Sequence, residues 1–598
     1  MSREREHEGD TRQPSRRRVL AGGSALGLAT WMSGGQAASA QAPSGENGIA
    51  AGAAESCEAL LDLSYTADER AQIVATIDGQ LDAIRRLRAV RLGNSEAPAL
   101  TFDPNLPGES YPPQSSGVRN ALDERATSPS DAEDLAFAPL ARQAYWLRSG
   151  QISSRELTET YLERIAHFDP LLNAFVTVTS DLALAQADRA DEERASGRDR
   201  GPLHGIPFGV KDLVDTANIR TSWGATPFKD RVPSANAWII DRLADAGAVL
   251  LGKTSTGALA YGDLWFGNRT RNPWNPNEGS SGSSAGSAAA IAAGLCSFAL
   301  GTETMGSVVT PASRCGTVGL RPSFGRVPRT GTMPLCWSLD KIGPLTRSVA
   351  DTALVLEAIN GRDAGDPSAH GHGFAWDAAR DVEGMRIGYM PAWFEAAAEA
   401  DRAALAVLRE MSVELVELSP PDLPHRALFH ALEIEAAAAF QDLTLSDRDD
   451  ELTWQGEMAW PNIWRRVHFY SAVDYVQLDR FRRRAMRIVH RLMRGVDAIV
   501  SPDFGDPLLL ITTFTGQPCL TLRAGFSELA TRPSSDGMPE PVVESAPTRS
   551  VPENMMLWGP LFEERNLLTL GAALERRFGV AAHRPPLERW SEEARNAG

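Results

Sequence analysis

Three segments of this 598-residue chain set amine and hydroxyl side chains where their surroundings could make them reactive. The first reads HGIPFGVKDLVD over 204–215. Lys211 ends its apolar stretch. A lysine at the mouth of an apolar strand loses hydration, which lowers its pKa and frees its lone pair. The alternative is a surface lysine paired with Asp212 or Asp215. The second segment, GSSGSSAGSAAAIAAG over 279–294, contains Ser283. Its Gly/Ser half permits tight backbone geometry and close approach of a substrate. Its Ala-rich half is a strong helix former. A flexible linker would not continue into AAAIAAGLCSFALG, so the segment reads as a loop feeding a buried helix. The third, GTETMGSVVTPASRCGTVGL over 301–320, contains Ser307. Ser307 follows a Gly-containing turn and precedes Val308 and Val309, read as the start of a strand. Such a turn exposes a hydroxyl and aims successive backbone N–H groups at one point, where a developing oxyanion could sit.

The elements that must position these residues alternate in type. FGV at 208–210, AVLLG at 248–252 and AIVS at 498–501 have strand character, with helical segments between them. That pattern predicts an α/β architecture. Ser153-x-x-Glu156 predicts a helix start, with Leu157, Tyr161 and Ile165 on one face. Upstream, Thr66-x-x-Glu69 is a capping box, followed by Ile73, Ile77, Leu81, Ile84 and Leu87 at helical spacing. Residues 101–132, rich in Pro, Ser and Asp, read as a loop or linker. Residues 365–380 and 526–556 lack periodicity and read as surface insertions. The expected division is a leader at 1–40, a linker and N-terminal helical extension at 41–132, and a main domain at 133–598.

Composition narrows the function classes. The chain is 43% hydrophobic with a formal net charge of −17. An acidic surface repels phosphate backbones, so nucleic-acid binding is disfavoured. The five cysteines are widely spread with no C-x-x-C pair, which excludes a zinc knuckle or dense disulfide scaffold; one disulfide remains open. His370-x-His372 lies in a Gly-rich loop and reads as solvated rather than metal-binding. Gly247 to Thr254 satisfies the pattern G-x-x-x-x-G-K-[ST], but Ala248, Val249, Leu250 and Leu251 form a buried strand where that chemistry needs an open glycine loop. A helix over 237–246 precedes it. At the N-terminus, Arg16-Arg17-Arg18, an apolar run over 21–32 and Ala38-Ser39-Ala40 have the three-part order of a signal peptide. The arginines and weakly apolar core resemble a twin-arginine signal, which implies export to the periplasm or beyond. The run is too short for a transmembrane helix, and no other stretch is long and apolar enough.

Taken together, the three segments resemble the amidase signature family. NPWNP at 272–276 leads into the Gly/Ser run, and Ser283 and Ser307 stand at the family's usual interval. VGLRPSFGRV at 318–327, WSLDKIGPLTRSVADTALVL at 337–356, DAIVSP at 497–502 and FTGQPCLTL at 514–522 extend the likeness over roughly 134–590. The resemblance implies a central mixed sheet flanked by helices. It implies Lys211 as catalytic lysine, Ser283 as bridging serine after a cis peptide bond, and Ser307 as nucleophile. Backbone N–H groups of Thr304, Met305, Gly306 and Ser307 would form the oxyanion hole. It further implies hydrolysis of a small-molecule carboxamide through an acyl-enzyme, with no metal or organic cofactor; a homodimer is left open. The sequence departs from the family at Ser281, Ala285, Glu303, Met305 and Val309. Met305 points to less polar acyl groups, and Val309 stands where an arginine could anchor a carboxylate. Trp274 is expected behind the site loop, and Asp340 and Arg347 are expected to order that loop. The competing readings are an esterase, a binding protein without activity and an amidotransferase-type glutamine amidase subunit.

Overall fold

The computed structural model describes residues 51–90, 92–111, 116–124, 127–369, 371–395, 397–502, 504–505, 507–532 and 548–597. The leader at 1–40 and His370 lie outside the described residues. Two units separate, one ending at Val90 and the other beginning at Arg91.

In the first unit, helices α1 (Ala51–Leu61) and α2 (Ala67–Arg88) follow each other. Thr66 caps α2 as its sequence requires: its side chain accepts from the Glu69 amide while Glu69 accepts from the Thr66 amide, satisfying two otherwise orphaned donors.

In the second unit, eleven strands form one mixed sheet. They are β1 (Phe175–Val178), β2 (Pro207–Lys211), β3 (Val249–Thr254), β4 (Phe298–Glu303), β5 (Val318–Arg321), β6 (Lys341–Thr346), β7 (Arg386–Tyr389), β8 (Glu414–Glu417), β9 (Ala498–Pro502), β10 (Cys519–Leu529) and β11 (Arg549–Trp558). Their order is β8-β7-β9-β11-β10-β5-β6-β4-β2-β3-β1. The β2 strand runs parallel to both β3 and β4, whereas β4–β6 and β10–β11 are antiparallel. The all-buried patterns of β2, β3, β4 and β6 follow from cover on both faces, so their burial does not alternate along the strand.

The helices that matter for the site are α3 (Ser154–Leu172), α4 (Trp238–Asp245), α5 (Ala285–Ala292), α6 (Val309–Cys315) and α7 (Glu564–Phe578). The Ser153 side chain caps α3 by accepting from the Glu156 amide. Every residue of α5 is buried, which small side chains permit because they let the backbone approach its neighbours closely. Its one polar layer is satisfied: Ser287 Oγ donates to the Leu300 carbonyl at 3.0 Å and lies 2.7 Å from Thr254 Oγ1.

The P-loop-like stretch is a strand, as expected: Val249 through Thr254 form β3, wholly buried. The amine of Lys253 is consumed by Thr216 Oγ1 at 3.0 Å, Thr221 Oγ1 at 3.1 Å and the Val214 carbonyl. Three expectations require correction. Val308 and Val309 do not start a strand; they open helix α6, because an acidic side chain caps their amides and Pro311 fits a helix's first turn. The stretch 526–556 is no simple insertion, since its described ends complete the β10–β11 pair. Likewise, residues 117–119 and 375–377, from two stretches read as irregular, pair with each other in parallel. The periodicity of such short pairs is too brief to register in sequence.

His372 is half-buried, with one face of its ring stacked on Phe562 at 3.7 Å between centroids. All five cysteines are free, four of them buried. Among the described residues no helix is long and apolar enough to cross a membrane.

Candidate active site

Lys211 is the last residue of β2 and Thr302 lies near the end of β4, the strand beside it. This neighbourhood sets Lys211 Nζ 2.9 Å from Thr302 Oγ1 and 3.1 Å from the Thr302 carbonyl oxygen. Its third neighbour is Ser283 Oγ, at 2.7 Å. The lysine is fully buried, and that burial drives its pKa well below the usual lysine value against the opposing pull of Asp340 and Glu303. Pairing with Asp212 or Asp215 is ruled out: Asp212 accepts from the Ser222 amide at 2.9 Å, and Asp215 binds Arg231 at 2.6 Å.

Ser283 stands just before α5, after a cis peptide bond from Gly282, as the family resemblance implied. The next residue locks this loop onto the sheet. Ser284 Oγ donates to the Thr302 carbonyl at 3.1 Å and accepts from the Thr302 amide at 3.2 Å. The Ser284 amide in turn donates to the Ser307 carbonyl at 3.0 Å, joining the two serine loops. A further tie runs from Thr310 Oγ1 to the Gly282 carbonyl at 2.8 Å.

The turn carrying Ser307 needs a left-handed residue, and Gly306 supplies it with φ of 80°. Glu303 fixes the far side of that turn. Its Oε2 accepts from the amides of Val308 at 2.8 Å and Val309 at 3.0 Å, and its Oε1 accepts from Arg321 at 3.0 Å. A carboxylate at a helix start satisfies orphan donors and complements the helix dipole. Thr304 is held from the other side, donating to Asp340 Oδ1 at 2.6 Å. Asp340 also accepts from the amides of Leu335 and Cys336, so it ties the 335–336 turn to Thr304 rather than holding the Gly/Ser loop. Arg347 does a different job: it binds the carbonyls of Ala138 and Cys296, away from these turns.

Thr304, Met305 and Ser307 line a cavity of about 460 Å³. Tyr261, Leu335, Phe429, Trp460 and Ile463 give it an apolar wall, and Arg314, Arg532 and Glu553 contribute polar groups. Arg314 and Arg532 share Glu278, at 3.4 Å and 2.6 Å. Trp274 packs at the C-terminal end of α6, with its indole N–H on the Cys315 carbonyl at 2.8 Å. Among the described residues no group of three or more His, Cys, Asp or Glu could hold a metal.

Sequence reasoning registered Glu303 only as a departure and did not see its partnership with Arg321. The signal was available: an arginine inside the buried strand β5 demands a carboxylate. Thr302 and the apolar wall from residues 429–463 were also missed; the wall carries no motif.

The amidase family model matches residues 156–568 of this sequence. The chain belongs to the amidase family. This amidase is 35% identical over 470 residues to a glutamyl-tRNA(Gln) amidotransferase subunit of Roseiflexus castenholzii, a match spanning 73% of this chain and 95% of that protein. Its structure resembles native peptide amidase from Stenotrophomonas maltophilia, with a TM-score of 0.63, 31% identity, and coverage of 75% of this chain and 98% of that one. An amidase family protein from Bacillus anthracis gives a TM-score of 0.64 at 26% identity, covering 76% and 93%. The amidase fold and hydrolysis of carbon–nitrogen bonds follow from this membership.

Proposed function

We propose that this amidase cleaves an apolar small-molecule carboxamide through an acyl-enzyme on Ser307. The observation that carries the reading is the 2.7 Å contact between buried Lys211 Nζ and Ser283 Oγ, on a loop tied directly to Ser307. A neutral amine has two N–H donors and one lone pair. Here the two donors meet the two Thr302 oxygens, and the lone pair accepts the Ser283 hydroxyl proton. Ser283 can then take the Ser307 proton as Ser307 Oγ attacks the amide carbonyl. The N–H groups of the turn at Thr304, Met305, Gly306 and Ser307 receive the oxyanion. The relay runs backward to protonate the leaving amine, whose C–N bond breaks. Water, deprotonated through the same relay, frees the carboxylic acid from Ser307.

A serine-directed fluorophosphonate tests the nucleophile. It should label wild type and leave Ser307→Ala unlabelled; equal labelling removes Ser307 from the role. The apolar cavity wall supports the substrate class, and an amide panel ranked by kcat/KM tests it. An aryl ester compared with its matching amide measures the esterase alternative.

The relatives named as glutamyl-tRNA(Gln) amidotransferase subunits favour a second reading, hydrolysis of the glutamine amide within a complex. Glutamine outperforming every apolar amide in the same panel would select it. We also propose export through the twin-arginine-like leader, to be read by fractionating cells that carry the Arg16-Arg17 pair or a Lys-Lys replacement.

A further inference from the structure

A second cavity, of about 590 Å³, shares no lining residue with the catalytic one. It lies at the C-terminal ends of α5 and α6, bounded by β10, α7 and the segment that follows α7. These are the two helices whose opposite ends follow Ser283 and Ser307.

Its lining is cationic. Arg142, Arg347, Arg523, Arg576 and Arg584 face only two carboxyl groups, Asp134 and Glu575. Three of the arginines are occupied elsewhere. Arg142 reaches Asp123 at 3.1 Å, Arg584 reaches Glu133 at 3.4 Å, and Arg347 is spent on two carbonyls and the Tyr161 hydroxyl. Arg523 and Arg576 remain, and both act electrostatically on Glu575. One terminal nitrogen of Arg523 donates to the Val580 and Ala581 carbonyls, at 2.8 Å and 3.1 Å, neutral acceptors that bring no counter-charge. Burial, and the charge of Asp351, push the Glu575 carboxyl up to about 8, so near neutral pH it is mostly uncharged and leaves the arginines unbalanced.

Two polar atoms at this cavity are buried and, among the described residues, have no hydrogen-bond partner: Thr317 Oγ1 and Arg523 Nε. Thr317 is only 3% exposed. Buried donors are nearly always paired in folded proteins, so two orphans bordering one cavity point to something that fills it. The two lie close together. Arg523 packs beside Gly316, where an added Cβ would come within 3.3 Å of its Cδ. The Arg523 guanidinium sits over the Trp274 ring at 5.4 Å, which gives the site a flat apolar wall.

We propose that this cavity binds a small oxyanion, a carboxylate or a phosphate, through Arg523 and Arg576 with the Thr317 hydroxyl as a further donor. Planar guanidinium groups suit either anion, since both offer paired oxygens. The site stands apart from the acyl-enzyme chemistry and does not depend on it.

Calorimetric titration of the full chain with citrate and, separately, with inorganic phosphate tests the proposal, with sodium chloride at matched ionic strength as control. At least one of the two should bind saturably, and which one does identifies the anion class. Arg576→Gln, on the exposed end of α7, should weaken binding about tenfold or more, the usual effect of losing a charge-assisted hydrogen bond. Thr317→Val should weaken it too, and Ser307→Ala should bind like wild type. Circular dichroism of each variant confirms the fold. No saturable binding of either anion overturns the proposal. So does binding that Arg576→Gln and Thr317→Val leave unchanged, or binding that Ser307→Ala abolishes.

Discussion

Glu303 and Arg321 form a fully buried ion pair at 3.0 Å, and the same carboxylate holds the two amides that follow Ser307. One side chain thereby links the strand β5 to the geometry of the turn. Arg321 also binds Thr512 Oγ1 and Thr513 Oγ1, so a third element engages its other terminal donors.

Glu303→Gln should therefore damage stability and activity together. It leaves the Arg321 charge buried without a counter-ion, a change that costs about 3 kcal/mol or more. Denaturant unfolding gives the first effect. The second should appear in kcat more than in KM, because the turn carries the amides proposed to receive the oxyanion.

Lys211→Met should lower kcat by about 10⁴-fold if Lys211 is the base, as the loss of such a group does in comparable hydrolases. In wild type, activity should climb with pH through a point well below the ordinary lysine value of about 10.4, because burial favours the neutral amine. An acid optimum contradicts this.

The same lysine makes a stability prediction of definite sign. Its folded pKa lies below its unfolded value, so between the two the unfolded chain binds the extra proton and stability rises with pH. Wild type should gain stability relative to Lys211→Met on going from neutral pH to about pH 10. Parallel pH profiles for the two proteins would show that Lys211 keeps its charge on folding.

Met305 lines the catalytic cavity and packs against the apolar cluster behind its wall. Met305→Ala should reduce the preference for an apolar amide over a polar one by about tenfold, the scale set by a few methylene groups. The ratio of kcat/KM for the two substrates is the readout. An unchanged ratio would remove Met305 from specificity.

Gly282 has no room for a side chain, since an added Cβ would overlap the Gly262 carbonyl. Gly282→Ala should displace the Ser283 loop and cost nearly all activity. Thermal unfolding should show a smaller change than Glu303→Gln, because no buried charge is exposed by the shift.

Much of this protein is legible in its residues, and the reason is local. The Thr66 capping box and the Ser153 cap need only neighbours within one helical turn, and both form as read. The strands around Phe208, Val249 and Ile499 announce themselves as apolar runs because each is buried on both faces. That Lys211, Ser283 and Ser307 are candidates for one site is likewise readable from residue types and from the resemblance their segments carry. What sequence alone left open was set by distant partners. Val308 and Val309 have strand propensity, yet Glu303, itself held by Arg321 of β5, caps them into a helix. Lys211 could have been a surface lysine; it is buried because β2 lies beside β4, bringing Thr302 to its amine. The apolar cavity wall, the Glu303–Arg321 pair and the arginine-lined second cavity join residues far apart in the chain. No periodicity encodes such meetings, because they arise only when the sheet order is chosen and the helices pack on it.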